Sequence, residues 1–340
     1  MKAKTIRVGL YCDLGATKGA GHFVRSAALG AALATRGADV SIATNFSEVR
    51  WAQTQAEALG LRTVQAEAPS ILPKLATDWD IAVIDSYEAT TQDLEAMPTP
   101  LVAIDDESLR PLPAALVINQ NLSGLAMNYD AWSEARVLRG PKFALLRPQF
   151  AAARPAQYRV RNWQGRAQRI LLVLGGTDAR AATSRLAARV LAELPHIELH
   201  VISAKGTDAL EKQPVPAGSS LKATGTLPNV EEAMGWADLV ISAAGTTVWE
   251  LCCLGAPMAL VKVAANQDLS YAKAIEAGVA FGLGDVEDAI TGPRTPWHSL
   301  REHAETNRVG EAAWRLVDGL GASRVAEQII GLAEESSREV

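Results

Sequence analysis

Two stretches near the amino terminus, Thr5-Ile6-Arg7-Val8-Gly9-Leu10-Tyr11 and Gly19-Ala20-Gly21-His22-Phe23-Val24-Arg25, decide the fold when read together. The first is a β-rich run. Asp13 to Gly21 is a glycine-bearing turn, and Phe23 to Arg36 is an alanine-rich helix stopped by Gly37. A strand, a glycine turn and a helix mouth in that order open the βα unit of nucleotide-handling α/β proteins. Glycines let the backbone approach a ligand, and the first helical N–H groups with the helix dipole favour an anion there. The same positive field is expected to disfavour imidazolium and leave His22 neutral, ready to accept a proton. The plainer alternative is that His22 fills the first helical turn.

Outward from this unit, short apolar runs alternate with helix-period segments, the pattern of a parallel sheet wrapped by helices. Strands are expected at Thr5 to Tyr11, Asp39 to Ala43, Ile81 to Asp85, Leu101 to Ile104 and Ala115 to Asn119. From Gln149 to Gln168 the chain turns polar, basic and aperiodic, which reads as an interdomain connection. The alternation restarts with Arg169 to Leu174, Glu198 to Ser203, Leu239 to Ser242 and Met258 to Val263. Two α/β domains are expected, 1–150 and 165–340, with ligands at the carboxyl ends of the strands facing a central cleft. The last helix, Ser323 to Glu335, either stays with the second domain or packs back across the first.

A length of 340 residues exceeds one core and favours two domains of about 150 residues. The net charge of −5 supplies no basic field for nucleic acid. No apolar segment approaches the roughly 18 residues that cross a bilayer, so no membrane span is expected. Three cysteines, Cys12 and the adjacent Cys252 and Cys253, suit a reducing cytoplasm better than a disulfide framework. The oligomeric state is not legible.

Further glycine turns carry candidate binding chemistry. Gly175-Gly176-Thr177-Asp178 follows a strand and precedes a helix. In Ser242-Ala243-Ala244-Gly245-Thr246-Thr247-Val248-Trp249-Glu250 the N–H groups of Gly245, Thr246 and Thr247 are placed to hold a pyrophosphate. Glu250, one turn into that helix, either accepts two hydrogen bonds from a ribose diol or is a first-turn carboxylate stabilised by the dipole. The turn Thr224 to Val230, which contains Leu227, offers backbone amides as a frame for a nucleobase. Asn266 and Gln267 close a strand, where their amides bind sugar hydroxyls or cap the loop. Asp78-Trp79-Asp80 matches a metal-holding D-x-D pattern but precedes its strand, at the end remote from the ligand side. The remaining histidines lack a metal shell. Neither GxGxxG with its acidic partner nor GxxxxGK[ST] occurs, so nicotinamide dehydrogenases and P-loop ATPases are set aside and no cofactor is called for.

Gly19-x-Gly21-His22-x-x-Arg25, Ile104-Asp105-Asp106-Glu107, Asn119-Gln120-Asn121, Phe143-x-Leu145-Leu146-Arg147-x-x-Phe150, Gly175-Gly176-Thr177-Asp178 and Gly245-Thr246-Thr247-Val248-Trp249-Glu250 occur in an order that resembles one family. That family is the UDP-2,4-diacetamido-2,4,6-trideoxy-β-L-altropyranose hydrolases of pseudaminic acid biosynthesis, and the resemblance runs from about residue 5 to 335. It implies the GT-B fold shared with the lipid II GlcNAc transferases, two Rossmann-like domains with parallel sheets. It also implies a UDP-sugar substrate and no metal. In that reading His22 is the general base on water attacking the anomeric carbon, and Tyr87, after the strand at Ile84-Asp85-Ser86, orients water or sugar unless it only packs at the sheet edge. Substrate-binding positions are Asp13, Gly19, Gly21, Arg25, Asn121, Arg147, Gly176, Thr177, Leu227, Gly245, Thr246, Thr247, Glu250, Asn266 and Gln267. The chain departs from the family pattern at Tyr11, where an arginine is usual, a change expected to lie beside the sugar. Transfer of the sugar to another acceptor is the alternative activity, and silent nucleotide-sugar binding a third.

Overall fold

The nine expected strands all form, in two parallel sheets. The computed structural model describes residues 4–15, 20–47, 49–106, 111–132, 135–165, 168–175, 182–293 and 295–337. The chain divides into two compact units, Met1–Pro148 with Gly319–Val340, and Gln149–Asp318.

The first unit holds β1 (Arg7–Cys12), β2 (Asp39–Thr44), β3 (Arg62–Gln65), β4 (Ile81–Asp85), β5 (Leu101–Ile104), β6 (Leu116–Asn119) and β7 (Arg136–Arg139). They form one parallel sheet in the order β3-β2-β1-β4-β5-β6-β7. All residues of β4, β5 and β6 are buried, as expected of a parallel sheet covered on both faces. Alternate residues of β1 serve the two covers. Val8 and Leu10 pack with Phe23, Leu29 and Leu33 and with Val325 and Ile329 of the final helix Gly321–Ser336. Tyr11 faces the other side with Leu72, Trp79 and Ile84. Gly9 lies on that second face, and a Cβ there would fall inside the Trp79 indole; the glycine is what lets the ring lie against the strand. The final helix therefore belongs with the first unit, against the helix Gly21–Thr35. Arg36 Nη2 donates to Ser323 Oγ at 2.8 Å, and Arg136 Nη1 to Gln328 Oε1 at 2.8 Å.

The second unit repeats the plan with β8 (Gln168–Val173), β9 (Ile197–Ile202), β10 (Ser220–Thr224), β11 (Leu239–Ala243), β12 (Met258–Lys262) and β13 (Phe281–Asp285). These too are parallel, in the order β10-β9-β8-β11-β12-β13. The segment read as an interdomain connection packs within the second unit. Arg154 Nη1 donates to the carbonyls of Cys253 (2.6 Å) and Val317 (2.7 Å), while Asn307 bonds the backbone of Arg161 on both sides. Its arginines Arg154 and Arg159 donate to backbone carbonyls of the second unit, which gives the basic side chains a packing role.

One device marks the amino-terminal edge of both sheets. Asp80, just before β4, accepts from the backbone N–H of Arg7 at 2.8 Å and from its guanidinium at 3.1 Å. Asp238, just before β11, does the same for Arg169, at 2.8 and 3.1 Å. Asp80 of the D-x-D sequence is thus a strand clamp, also reached by Lys4 Nζ at 2.9 Å.

Candidate functional site

Strand order reverses between β1 and β4, and the ligand side of such a sheet lies at the carboxyl ends there. Cys12 ends β1 opposite Asp85, which ends β4 with its carboxylate fully buried. The helix Gly21–Thr35 begins two residues earlier than its alanine-rich run suggests. His22, Arg25 and Ser26 therefore fall at i, i+3 and i+4 in its first turns, on one face. All three reach Asp85. His22 Nδ1 lies 2.7 Å from Oδ1, Arg25 donates from Nε to Oδ2 and from Nη2 to Oδ1 at 2.6 Å each, and Ser26 Oγ donates to Oδ2 at 3.3 Å.

Burial alone would raise the Asp85 pKa, but the Arg25 guanidinium and the His22 ring outweigh it and hold the carboxyl well below its usual range. The ionised carboxylate only accepts, so the hydrogen sits on His22 Nδ1 and Nε2 is the basic nitrogen. The expectation of a depressed His22 pKa is corrected here. Burial does push it down, yet the charge and hydrogen bond of Asp85 win and the pKa is raised above the ordinary imidazole value. A full carboxylate at hydrogen-bond distance acts more strongly than the partial charge of a helix terminus.

Asp106, just beyond β5, is a second collecting point. It accepts from Arg25 Nη1 at 2.9 Å, from the Tyr87 hydroxyl at 2.8 Å and from Asn121 Nδ2 at 2.7 Å. Asp13 accepts from Ser86 Oγ at 2.8 Å and from the Tyr87 backbone N–H at 2.7 Å. Tyr87 is held at both ends, with its ring edge-on to His22 at a centroid distance of 4.6 Å. Burial first, and then Asp106, raise its pKa far above the phenol range, so it stays protonated. Tyr11 does not join this group. Its side chain is buried in the apolar cluster with Leu72 and Trp79, so the departure at that position concerns the core.

In the second unit the reversal lies between β8 and β11. β11 runs into Ala244-Gly245-Thr246 and the helix Thr247–Leu254, whose first turn has no side-chain cap. Gly245, Thr246 and Thr247 are half-buried and Glu250 is buried. The helix ends at Gly255 with φ +59°, where a Cβ would meet Trp314 at 2.8 Å. Gln267, in the single turn Ala265–Gln267 after β12, accepts from Val263 N–H at 3.0 Å through Oε1, and its Nε2 is on the Gly245 side. Asn266 is exposed and Leu227 half-buried in the turn after β10.

Solved structures share this fold. MurG of Acinetobacter baumannii superposes with a TM-score of 0.70 at 15% identity, over 96% of this chain and 99% of that one. The glycotransferase of kitacinnamycin gives 0.68 at 17% identity, over 97% and 100%. The fold is GT-B. The glycosyltransferase family 28 C-terminal domain matches residues 170–282, the greater part of the second GT-B sheet. The spore coat polysaccharide biosynthesis protein SpsG of Bacillus subtilis (strain 168) is 23% identical over 296 residues, 82% of this chain and 84% of its own length.

On the GT-B frame, the structure brings His22, Tyr87, Arg25, Asn121 and Asp13 together in the first unit, with Gly21 in the first helical turn. Gly245, Thr246, Thr247, Glu250 and Gln267 gather in the second. Arg147, half-buried, precedes the short helix Pro148–Ala153 and lies apart from both groups in sequence. Gly19, Gly176 and Thr177, with Glu107 and Asp178, lie outside the described residues. Arg25, expected to bind substrate, has its buried guanidinium engaged by two carboxylates, Asp85 and Asp106. Two residues of the group, Asp85 and Asp106, stood within the quoted motifs but were assigned no role. Their signal was present: each is a carboxylate at the carboxyl end of an apolar strand. Among the described residues no three His, Cys, Asp or Glu side chains are grouped to hold a metal ion, and no helix is long and apolar enough to cross a membrane.

Proposed function

We propose that this chain is a glycosyltransferase that moves a sugar from a nucleotide-sugar donor to an acceptor, with His22 as general base. The observation that carries the reading is the His22–Asp85 pair at the carboxyl end of β1 and β4, 2.7 Å apart, with Nε2 left basic. The acceptor O–H or N–H gives its hydrogen to Nε2. The freed electron pair attacks the anomeric carbon, and the anomeric C–O bond breaks so that its electrons leave on the nucleoside diphosphate. Asp85 balances the imidazolium that forms, and a base so placed is worth about 10²- to 10⁴-fold in rate. A single displacement of this kind inverts the anomeric centre.

Nucleotide binding is assigned to the second unit. Backbone N–H groups of Gly245 to Thr247 receive the diphosphate, Glu250 the ribose hydroxyls, and the turn containing Leu227 the base. Gly19, Gly21, Asp13, Asn121, Arg147, Gly176, Thr177, Asn266 and Gln267 are assigned to binding of the remaining parts of the substrate. UDP is the proposed nucleotide. Arg25 serves this site as the tie between Asp85 and Asp106.

Water as the acceptor is the second reading, which makes the chain a UDP-sugar hydrolase. The ordered motifs from Gly19 to Glu250 favour it. Release of nucleoside diphosphate from UDP- and dTDP-sugars in ¹⁸O-labelled water, with and without a pool of acceptors, tests both. Acceptor-dependent release supports transfer; release without acceptor, with label on the anomeric oxygen, supports hydrolysis; no release from any donor rejects both.

A further inference from the structure

We infer that Asp106 is a positioning residue of the same reaction, fixing the Tyr87 ring against His22 by accepting its hydroxyl hydrogen. The inference rests on the reading of His22 as general base.

A phenol has one hydrogen to donate, and Tyr87 donates it to Asp106 at 2.8 Å. The other end of the residue is pinned by the 2.7 Å bond from its backbone N–H to Asp13. Its ring stands edge-on to His22 at 4.6 Å, with an interplanar angle of 85°. Tyr87 is nevertheless 37% exposed. A tyrosine that served packing alone would not need two buried or half-buried carboxylates to fix it while its ring meets solvent.

The arrangement mirrors the one at His22. Each of the two side chains gives its hydrogen to a carboxylate, His22 to Asp85 and Tyr87 to Asp106, and Arg25 bridges both carboxylates. Each ring is thereby held in one orientation by a carboxylate. His22 takes the proton that is lost, and the Tyr87 ring beside it orients the reacting groups. Asp106 acts through Tyr87.

The test uses the full chain and the UDP- or dTDP-sugar whose nucleotide the wild type releases fastest. Asp106→Asn, Tyr87→Phe, the double variant and His22→Gln are compared for kcat, KM and UDP affinity. Asp106→Asn and Tyr87→Phe should each lower kcat by about 10- to 100-fold with KM and UDP affinity within about twofold. The double variant should lie within about twofold of the slower single, because both remove one interaction. Wild-type kcat in Asp106→Asn, or losses that multiply in the double variant, would overturn the inference while His22→Gln remains slowed. Should Asp106→Asn fail to fold, Tyr87→Phe still decides, since it leaves the bonds to Arg25 and Asn121 in place and wild-type kcat there overturns the inference. A wild type that releases no nucleotide, or a His22→Gln protein as fast as wild type, removes the parent reading and this one with it.

Discussion

His22 Nδ1 lies 2.7 Å from the Asp85 carboxylate, which is fully buried at the end of β4. Two things that raise the His22 pKa, a charge and a hydrogen bond, come from this one residue, while burial lowers it. In Asp85→Asn burial is left to dominate, and the His22 pKa falls. The acid limb of the kcat/KM profile, which reports His22 losing its proton, therefore moves to lower pH. The rate on the plateau drops by about 10²- to 10⁴-fold because the ring loses its orienting partner. A pH profile of both proteins measures each effect, and an unmoved limb would contradict the assignment.

The same pair makes stability depend on pH in two windows. The folded pKa of His22 is raised, so its contribution is complete below the unfolded value of 6.5 and is lost as pH rises through the folded value. The folded pKa of Asp85 is lowered, so its contribution is present above the unfolded value of 3.8 and is lost as pH falls through the folded value. Urea unfolding across the pH range should show greatest stability between the two windows. In Asp85→Asn the acid-side loss should shrink, on a background destabilised by about 3–5 kcal/mol because Arg25 loses a buried partner.

Glu250 offers a separate test on the second unit. Its carboxylate sits buried in the first turn of the helix Thr247–Leu254. Glu250→Gln should weaken UDP binding by roughly tenfold or more, of the order of the 1.5–3 kcal/mol carried by hydrogen bonds to a charged group. Calorimetric titration with UDP and with 2′-deoxy-UDP reads it, and equal losses for both nucleotides would move Glu250 away from the ribose.

Packing around β1 makes a prediction free of any function. Gly9→Ala puts a methyl group into the space of the Trp79 ring. Displacing that ring should cost about 1–3 kcal/mol, visible as a lowered unfolding midpoint. An unchanged midpoint would mean the ring has room to retreat.

What the sequence disclosed follows burial. The nine strands read from apolar runs are the central ones of both sheets and the neighbours of the reversal points, where both faces are covered. The four not recognised, β3, β7, β10 and β13, are the edge strands of their sheets. Their sequences, such as Arg62–Gln65 and Ser220–Thr224, mix exposed and half-buried residues, because an edge strand is covered less and keeps polar side chains. The site shows the same limit. His22 was singled out from glycine spacing and Tyr87 through the family resemblance, while the carboxylates that orient them were given no role. Asp85 and Asp106 reach their partners across 63 and 19 residues of chain, and no local pattern encodes such a meeting. The His22 protonation state failed for that reason: the nearby helix terminus was visible in the sequence, and the distant carboxylate was not.

The most direct test of the central claim is His22→Gln, assayed for nucleoside diphosphate release and for UDP affinity in the same preparation. Glutamine keeps a polar side chain in the first helical turn and cannot take up a proton. The account predicts release slowed by about 10²- to 10⁴-fold with UDP affinity unchanged. Release at the wild-type rate would contradict it, because the proton would then be leaving by another route.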